Sequence, residues 1–380
     1  MQLPDFKLER YFAKYEFNTE YLLCSSDCEA MSIADLLAFE PDAAEKFQQV
    51  WLGYTESQGS PTLRKEICGL YETIQPEQVL VHTGAGEAIF LFMHAMLKAG
   101  DHVIVHAPGY QSRAEVARGI GCEVSSWLAR EENNWALDLD ELQNLLRPNT
   151  KLIIINTPHN PVGVVVSEAT LRQIADIAIR HNLYVISDEA YEHVIFDGLK
   201  HVSIGSLPGM ADRTITCFTF SKTYAMTGLR LGYLACNDDV LVERFRKLLR
   251  LTTNGVPSIT QWGGIAALTG PQDLTRQMMA ELERRRDIFY DGLKSIKVFD
   301  AFKPQGAFYA WAKISDAWGG YNGAKDSWAM TNYLIDQAGI GTSPGVAFGS
   351  AGEGYVRFAF TVAPEVLIES IEVMQDLFNK

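Results

Sequence analysis

From about Val79 onward, short runs of apolar and β-branched residues alternate with amphipathic stretches of helical period. One clear series is KLIIINTP, TLRQIADIAIRHN and LYVISDEAY, in which an apolar strand, a helix and a second apolar strand follow one another. Strands that are apolar throughout and separated by helices are typical of a parallel sheet covered on both faces. The pattern therefore predicts an α/β fold with a mostly parallel sheet.

The character of the sequence changes after about Pro271. A long charged helix, shorter strands and a last amphipathic helix are predicted there, which is typical of a smaller α+β domain. The N-terminal residues carry few strand signals, so we expect them to pack with this domain. The predicted division is a large domain of residues 46–270 and a small domain of residues 1–45 and 271–380, whose N-terminal segment covers the functional site.

Composition narrows the possible partners. The net charge of −14 disfavours nucleic acid, because association would begin from repulsion. No apolar run approaches the ~20 residues that cross a bilayer, and the N-terminus lacks the apolar core of a secretory signal. The six cysteines are scattered, which fits reduced thiols in the cytoplasm. Cys24 and Cys28 lack a second Cys/His pair nearby, so we predict no metal site.

The candidate catalytic residue is Lys222, which follows the apolar strand TITCFTF. In α/β folds, ligands bind at the carboxyl ends of the strands. Burial near Arg230, in the same motif, would disfavour the ammonium form and lower the pKa of the lysine, making it a usable nucleophile and base. Taken alone, a lysine after a strand is more commonly a surface residue.

Polar residues at two other strand ends suggest a partner for this lysine. Asp188 follows an apolar strand, where a carboxylate is costly unless it is paired with a cation. The protonated pyridine nitrogen of pyridoxal 5′-phosphate (PLP) is such a cation, and an aspartate there keeps the ring an electron sink. Tyr191 and Asn160 could bind the phenolic oxygen of the ring, although asparagine before proline also fits an Asx turn.

A phosphate site is predicted in HTGAGEAIF, where residues 83–86 link a strand to a helix. Backbone N–H groups at a helix N-terminus bind anions. The motif is neither G-x-G-x-x-G nor a P-loop, which disfavours dinucleotides and nucleoside triphosphates. Arg230 and the hydroxyls of Thr219 and Ser221 could complete the site, and Tyr110 could stack on the pyridine ring.

The motifs NTPHNPVG, SDEAY, SKTYAMTGLRLGY, PQGAFYAW and GYVRFAF, in this order, resemble the signatures of the class I/II aminotransferase family of fold-type-I PLP enzymes. The resemblance covers nearly the whole chain from about Val50. It implies a large domain with a mostly parallel sheet of the seven-stranded type, flanked by helices, and a smaller α+β domain. It also implies PLP as the cofactor of a homodimer whose active sites are shared between the subunits.

The resemblance further implies a role for individual residues. They are Lys222 as the Schiff-base lysine, Asp188 on the pyridine nitrogen, Asn160 and Tyr191 on the ring oxygen, Ala85, Gly86, Thr219 and Arg230 at the phosphate, and Arg357 on the substrate α-carboxylate. The planar guanidinium of Arg357 suits this role because it can bind a carboxylate through two N–H groups. Tyr54 and Asn254 are expected to reach the site from the partner subunit.

The segment LLCSSDCEAMSI departs from many relatives, which carry a glycine–acid–proline stretch here. It offers Ser25, Ser26, Asp27 and Glu29, with Glu9 nearby in the sequence. If the segment lines the pocket, Asp27, Glu9 and Ser25 would meet the distal end of the substrate, and carboxylates bind guanidinium well. The alternative is an acidic cap, in which Asp27 or Ser32 begins a helix.

The LERYF opening, the acidic segment and TPHNPVG resemble the capreomycidine synthase group and the related enduracididine-forming cyclodehydratases. This resemblance implies cyclodehydration of a hydroxylated L-arginine, in which Lys222 removes the Cα proton, a hydroxyl leaves as water and a guanidine nitrogen closes the ring. Lys222 or Ser25 could protonate the leaving hydroxyl. Cyclodehydration is thus the main expectation. The alternatives are transamination between an amino acid and a 2-oxo acid, elimination without ring closure, and a PLP-sensing regulator, which the missing DNA-binding segment disfavours.

Overall fold

The apolar runs form strands and the amphipathic stretches form helices in the computed structural model, which describes residues 3–30, 32–38 and 42–378. The strands are β1 (Tyr21–Leu22), β2 (Val79–His82), β3 (His102–Ala107), β4 (Glu123–Leu128), β5 (Thr150–Asn156), β6 (Tyr184–Asp188), β7 (Thr214–Thr219), β8 (Gly232–Cys236), β9 (Phe299–Ala301), β10 (Tyr309–Ile314), β11 (Ile340–Gly341), β12 (Ser343–Pro344) and β13 (Tyr355–Ala359). The helices are α1 (Lys7–Tyr15), α2 (Ile33–Leu37), α3 (Ala43–Gln48), α4 (Pro61–Cys68), α5 (Ala85–Met96), α6 (Ser112–Ile120), α7 (Leu139–Leu145), α8 (Glu168–Arg180), α9 (Phe220–Thr223), α10 (Asp239–Leu251), α11 (Ser258–Thr269), α12 (Asp273–Lys294), α13 (Ser327–Ala338) and α14 (Pro364–Phe378).

A seven-stranded sheet in the order β2-β8-β7-β6-β5-β3-β4 forms the centre of the large domain. Strands β3 to β7 pair in parallel, and β8 runs antiparallel to β2 and β7. Leu152 and Ile154 of β5 pack into one apolar cluster, whereas Ile153 and Ile155 pack into another. Because side chains alternate across a strand, both faces of the sheet are covered. The predicted α/β fold with a mostly parallel sheet is confirmed.

The parallel pairing brings several strand ends to one edge of the sheet. Asn156 at the end of β5 is in register with Asp188 at the end of β6, and β7 ends beside them at Thr219. The segments that leave this edge carry the residues predicted to bind the cofactor. The topology therefore fixes where a site must form before any side-chain contact is considered.

A second, antiparallel sheet in the order β12-β13-β10-β9 belongs to the smaller α+β part. Its apolar core includes Phe358 of β13 together with Phe289 of α12 and Met374 of α14. The N-terminal segment joins it through β1, which pairs in parallel with β11.

Helix α1 touches both parts of the molecule, because Leu8 lies in one apolar cluster with Trp127 of β4 and Trp311 of β10. The boundaries of the two domains stay a prediction. All six cysteines are free. Among the described residues, no helix is both long enough and apolar enough to cross a bilayer.

Candidate active site

Lys222 lies at the carboxyl edge of the large sheet, in the short helix α9 that directly follows β7. The Thr219 hydroxyl begins this helix by accepting from the Ser221 N–H at 3.3 Å, and it also lies 2.9 Å from the Ser221 hydroxyl. The Lys222 amine donates to the Ser26 carbonyl, and Ser26 Oγ lies 3.4 Å away. The N-terminal segment therefore contacts the amine of Lys222.

Burial is the main cause that lowers the pKa of the Lys222 amine to about 8. The positive charges of Arg230 and Arg357 act in the same direction, while Cys28 and Asp27 oppose it. An amine with this pKa is partly neutral near physiological pH and can act as a nucleophile or base. The lowered pKa expected from the sequence thus has burial as its principal physical cause.

Asp188 is buried at the end of β6, and its carboxylate is paired with the equally buried Arg113 of α6. Arg113 Nε and Nη2 lie 2.9 and 2.8 Å from Asp188 Oδ2. The Asp188 Oδ1 atom accepts from the Ala190 N–H at 3.3 Å. The sequence analysis missed Arg113. The sequence did contain a signal for this pair. The positive charge of an arginine in the first turn of a helix is unfavourable at the positive end of the helix dipole, so an acidic partner is expected.

Arg357 of β13 is fully buried, and its side chain contacts Asn160 in the loop that follows β5. Its Nη1 donates to Asn160 Oδ1 at 3.0 Å, and its Nη2 donates to the Cys24 carbonyl at 2.8 Å and to Ser343 Oγ at 3.2 Å. Its Nε has no hydrogen-bond partner within the described part of the chain. The guanidinium also lies 4.1 Å from the centre of the Tyr309 ring. A buried guanidinium with a free N–H is suited to bind a carboxylate.

Tyr191 is buried behind Asp188, and its hydroxyl lies 2.7 Å from the Tyr309 hydroxyl. Burial, assisted by Tyr309, raises the pKa of Tyr191 well above its usual value. Both tyrosines therefore stay protonated and can donate a hydrogen bond. The predicted contact of Tyr191 with the ring oxygen of PLP stays a prediction.

In the loop that is predicted to bind phosphate, Gly84 and Arg230 approach each other. Gly84 has a φ of +140° and directly precedes α5, whose first residues are Ala85 and Gly86. A Cβ atom at Gly84 would lie 3.2 Å from Arg230 Nη2, whereas a Cβ at Gly86 would meet nothing within 4 Å. On the open side of this loop, the N–H groups at the start of α5 lie near the Arg230 guanidinium. This arrangement fits a phosphate group.

The N-terminal helix α1 covers the loop after β3. The Tyr110 hydroxyl donates to Glu9 Oε1 at 2.8 Å, and the Tyr110 ring lies 5.1 Å from that of Phe6. Burial and the Glu9 carboxylate raise the pKa of Tyr110. Ser25 Oγ donates to Glu16 Oε1 at 3.3 Å. Glu9 and Ser25 are therefore engaged within the protein, and Glu16 is a further acidic residue that the sequence analysis missed.

Asp27 lies close enough to Lys222 to affect its charge, and its Oδ1 atom is buried. This oxygen has no hydrogen-bond partner among residues 3–30, 32–38 and 42–378. The neighbouring Cys28 thiol contacts the Lys222 carbonyl at 3.9 Å. A buried carboxylate oxygen without a partner is costly, so this position favours a cationic or hydrogen-bonding ligand.

The capping alternative for Asp27 is wrong, because helix α2 begins only at Ile33. The hydroxyl of Ser32 takes the capping position, where it accepts from the Asp35 N–H at 3.1 Å. Glu29 is paired with Arg285, whose Nη2 lies 2.6 Å from its carboxylate.

Tyr54 and Asn254 lie together at the surface, where they line a cavity of about 440 Å³. Tyr54 is 89% exposed, and no hydrogen bond among the described residues joins it to the groups around Lys222. Trp51 and Leu52 beside it are 73% and 77% exposed. Their predicted contribution to the site of a partner subunit stays a prediction.

One group of side chains in the described ranges could by geometry hold a metal ion, namely Glu189, Glu192 and His201, whose ligand atoms lie within 4.8 Å of one another. The Glu189 carboxylate, however, already accepts from Ser187 at 2.7 Å, Ser203 at 2.8 Å and His201 at 2.9 Å. This network anchors the end of β6 and needs no ion.

The site thus combines an amine of lowered pKa, a buried carboxylate, a guanidinium with a free N–H and a phosphate cradle at one sheet edge. These groups fit PLP, whose aldehyde, pyridine nitrogen and phosphate need an amine, a carboxylate and an anion site. The Arg357 guanidinium, whose Nε has no partner among the described residues, could then bind an amino acid carboxylate.

Comparisons with known proteins agree with this fit. The family model for aminotransferase class I and II matches residues 20–373. An aspartate aminotransferase of Pyrococcus abyssi is 35% identical over 338 residues, covering 86% of this chain and 84% of the relative. The aromatic-amino-acid aminotransferase 2 of Thermococcus litoralis is 36% identical over 308 residues, covering 80% and 76%.

A crystal structure of a PLP-dependent aminotransferase from Streptococcus suis superposes with a TM-score of 0.90 at 28% identity and covers 100% of both chains. The resemblance drawn from the motifs, the fold and PLP as the cofactor are confirmed. This chain is a PLP-dependent enzyme and belongs to the class I and II aminotransferase family.

Proposed function

We propose that this enzyme transfers the amino group of a free L-amino acid to a 2-oxo acid. The observation that carries the proposal is the match of the class I and II aminotransferase family model to residues 20–373 of a chain that places Lys222 at the carboxyl edge of its large sheet. Bound PLP supplies an electron sink for the charge that develops at the substrate Cα. Lys222 removes and returns the Cα proton, and Arg357 holds the α-carboxylate.

The proposed cofactor contacts follow the sheet edge. Asp188 binds the pyridine nitrogen, Asn160 and Tyr191 bind the ring oxygen, Tyr110 covers the ring face, and Ala85, Gly86, Thr219 and Arg230 bind the phosphate. Burial of Asp188 and Asn160 supports these roles, because a hydrogen bond is strongest where water is excluded.

Transamination is better supported than the cyclodehydration expected from the N-terminal segment. Relatives that match most of this chain are named aspartate and aromatic-amino-acid aminotransferases. Neither the family model nor these relatives give support to ring closure. Because one fold hosts several reactions, the two possibilities must be separated by product analysis.

We further propose that the amino donor carries a cationic side chain. The negative charge of Asp27 raises the pKa of the nearby Lys222 amine, so this carboxylate favours a positive charge in the pocket. Its Oδ1 atom is buried and has no hydrogen-bond partner among the described residues, and a cationic side chain of the substrate would supply one. Glu9 and Ser25, which are predicted to line the distal end of the pocket, hydrogen-bond with Tyr110 and Glu16, so Asp27 carries this proposal. An aspartate side chain would be repelled by the Asp27 carboxylate.

The reaction can be tested by incubating the holoenzyme with 2-oxoglutarate and, separately, arginine, lysine, phenylalanine or aspartate. We expect glutamate and the matching 2-oxo acid, with arginine or lysine favoured over aspartate in kcat/KM by about 10-fold or more, the value of one charged contact. Parallel incubations use β- and γ-hydroxyarginine. Loss of one water from either, without amino transfer from any donor, would contradict transamination and restore cyclodehydration.

The substrate preference depends most directly on Asp27. We expect Asp27→Asn to lower kcat/KM for the cationic donor by about 10-fold, because a hydrogen bond to a charged group contributes about 1.5–3 kcal/mol. Activity with phenylalanine should change little. Steady-state kinetics with both donors measures the difference.

Glu29→Gln is the matched control, since Glu29 lies in the same segment but is paired with Arg285. We expect this variant to keep the donor preference of the unsubstituted enzyme. An equal loss in both variants, or no loss in Asp27→Asn, would show that the acidic segment does not select the substrate.

The lowered pKa of Lys222 predicts how PLP uptake depends on pH. Only the neutral amine attacks the aldehyde, so uptake by the apoenzyme should rise with pH and level off above about pH 8. A lysine at its usual pKa of 10.5 would give a rate that still rises far above pH 8. Stopped-flow absorbance of PLP binding between pH 6 and pH 10 distinguishes the two outcomes.

We also propose a homodimer. The relevant surface contains Trp51, Leu52 and Tyr54, which are large, apolar and mostly exposed in the single chain. Clustered exposed apolar side chains mark interaction surfaces. Tyr54 and Asn254, which line one cavity there, would then reach the active site of the other subunit.

A further inference from the structure

One of the two carboxylate oxygens of Asp188 is already paired within the protein. Arg113 directs both Nε, at 2.9 Å, and Nη2, at 2.8 Å, to the same oxygen, Asp188 Oδ2. The other oxygen, Oδ1, has one long contact, with the Ala190 N–H at 3.3 Å. Oδ1 is therefore the oxygen that is left to accept from a ligand.

Arg113 is held firmly in this position. It is 3% exposed, and its backbone N–H donates to the Tyr110 carbonyl at 3.2 Å in the turn that begins α6. Its Nη1 has no hydrogen-bond partner within the ranges that the structure describes. Asp188 is thus the acidic group toward which this buried cation is directed.

Side chains that face the pair from the neighbouring elements are neutral. His106 of β3 and His159 after β5 stack at a centroid distance of 3.7 Å. Burial, with Arg113 acting in the same direction, lowers the pKa of His106 to about 3 and that of His159 well below its usual value. Burial raises the pKa of the Cys217 thiol of β7, which also stays uncharged. Tyr191 likewise keeps its proton.

We propose that Arg113 is a positioning residue which, by holding the Asp188 carboxylate, sets how strongly the ring nitrogen of bound PLP keeps its proton. The inference rests on the proposed contact between Asp188 and that nitrogen. Arg113 acts in two ways. It holds Oδ2 of Asp188, which leaves Oδ1 for the ligand, and its own positive charge opposes a second positive charge on the ring. Because a buried site excludes water, the charge of Arg113 would be weakly screened, and its effect on the pKa of the ring nitrogen would be large.

The test is a titration of the ring nitrogen in the holoenzyme, followed by NMR with isotope-labelled PLP. We expect Arg113→Met to raise the pKa of the ring nitrogen by about one unit or more, as removal of a like charge close by does. Arg113→Lys keeps the charge and should stay close to the unsubstituted enzyme. Arg113→Gln keeps a hydrogen-bond donor without the charge, so it should shift the pKa of the ring nitrogen as Arg113→Met does. It replaces Arg113→Met in the test if the methionine variant does not fold.

Arg64→Met is the matched control. Arg64 is similarly buried, at 5% exposure, but it donates to the Gly59 and Pro76 carbonyls at 3.0 and 2.6 Å and, within the described part of the chain, not to an acid. It should lower thermal stability without moving the ring titration. An unchanged titration in both neutral Arg113 variants would overturn the inference.

Asp188→Asn separates this inference from the proposed function. We expect it to lower the pKa of the ring nitrogen, because the negative partner is lost. If Asp188→Asn shifts the titration and the neutral Arg113 variants do not, the role of Arg113 is wrong and the cofactor contact stands. If Asp188→Asn shifts nothing, the cofactor contact itself is wrong.

Discussion

Replacement of Lys222 by alanine is expected to abolish amino transfer, with a loss of at least about 10³-fold in kcat. The variant can no longer attach PLP covalently, and it also lacks the base that moves the Cα proton. Loss of the base alone lowers the rate by about 10²–10⁴-fold. Single-turnover kinetics with the best amino donor measures the loss. The protein should fold normally, because α9 is short and the amine contacts mainly Ser26.

Lys200→Ala is the control for this substitution, since Lys200 is an exposed lysine in the connection between β6 and β7. It should keep full activity and full PLP content. A Lys222→Ala protein with unchanged turnover would show that another group carries the reaction.

Arg357→Lys is expected to lower kcat/KM by about 10²-fold or more, because breaking a buried ion pair costs about 3–5 kcal/mol. Lysine keeps the positive charge but loses the planar fork, and it cannot reach both Asn160 and Cys24 as the guanidinium does. The loss should fall on reactions of amino acids, whose α-carboxylate this residue binds. Steady-state kinetics over a series of donors measures it.

A substrate that lacks the carboxylate makes this prediction specific. The amine formed by removing the α-carboxylate of the best donor should react poorly with the unsubstituted enzyme and no worse with Arg357→Lys. If the variant loses the same factor with the amine, Arg357 supports the fold of the pocket and does not bind carboxylate.

Much of the fold follows from local sequence patterns. The apolar run LIII of β5 lies in the centre of the large sheet because it is flanked by helical stretches, and alternate residues cover the two faces. Parallel pairing then places Asp188 and Lys222 at one edge. Both residues could be predicted because each directly follows an apolar strand, so their position depends on neighbours in the sequence.

The contacts that shape the site depend on residues far apart in the chain. Arg113 and Asp188 meet across a sequence separation of 75, and Arg357 reaches the Cys24 carbonyl across 333. Hydrophobic periodicity carries no information on such pairs. The pairing of Glu29 with Arg285 is a similar case, because an acidic residue in a polar segment gives no sign of its distant partner.

The most direct test of the account is to reduce the holoenzyme with borohydride and to map the modified peptide by mass spectrometry. We predict one PLP group, on the peptide that contains Lys222, together with loss of activity. A fully active enzyme without this adduct, or an adduct on a different lysine, would contradict it.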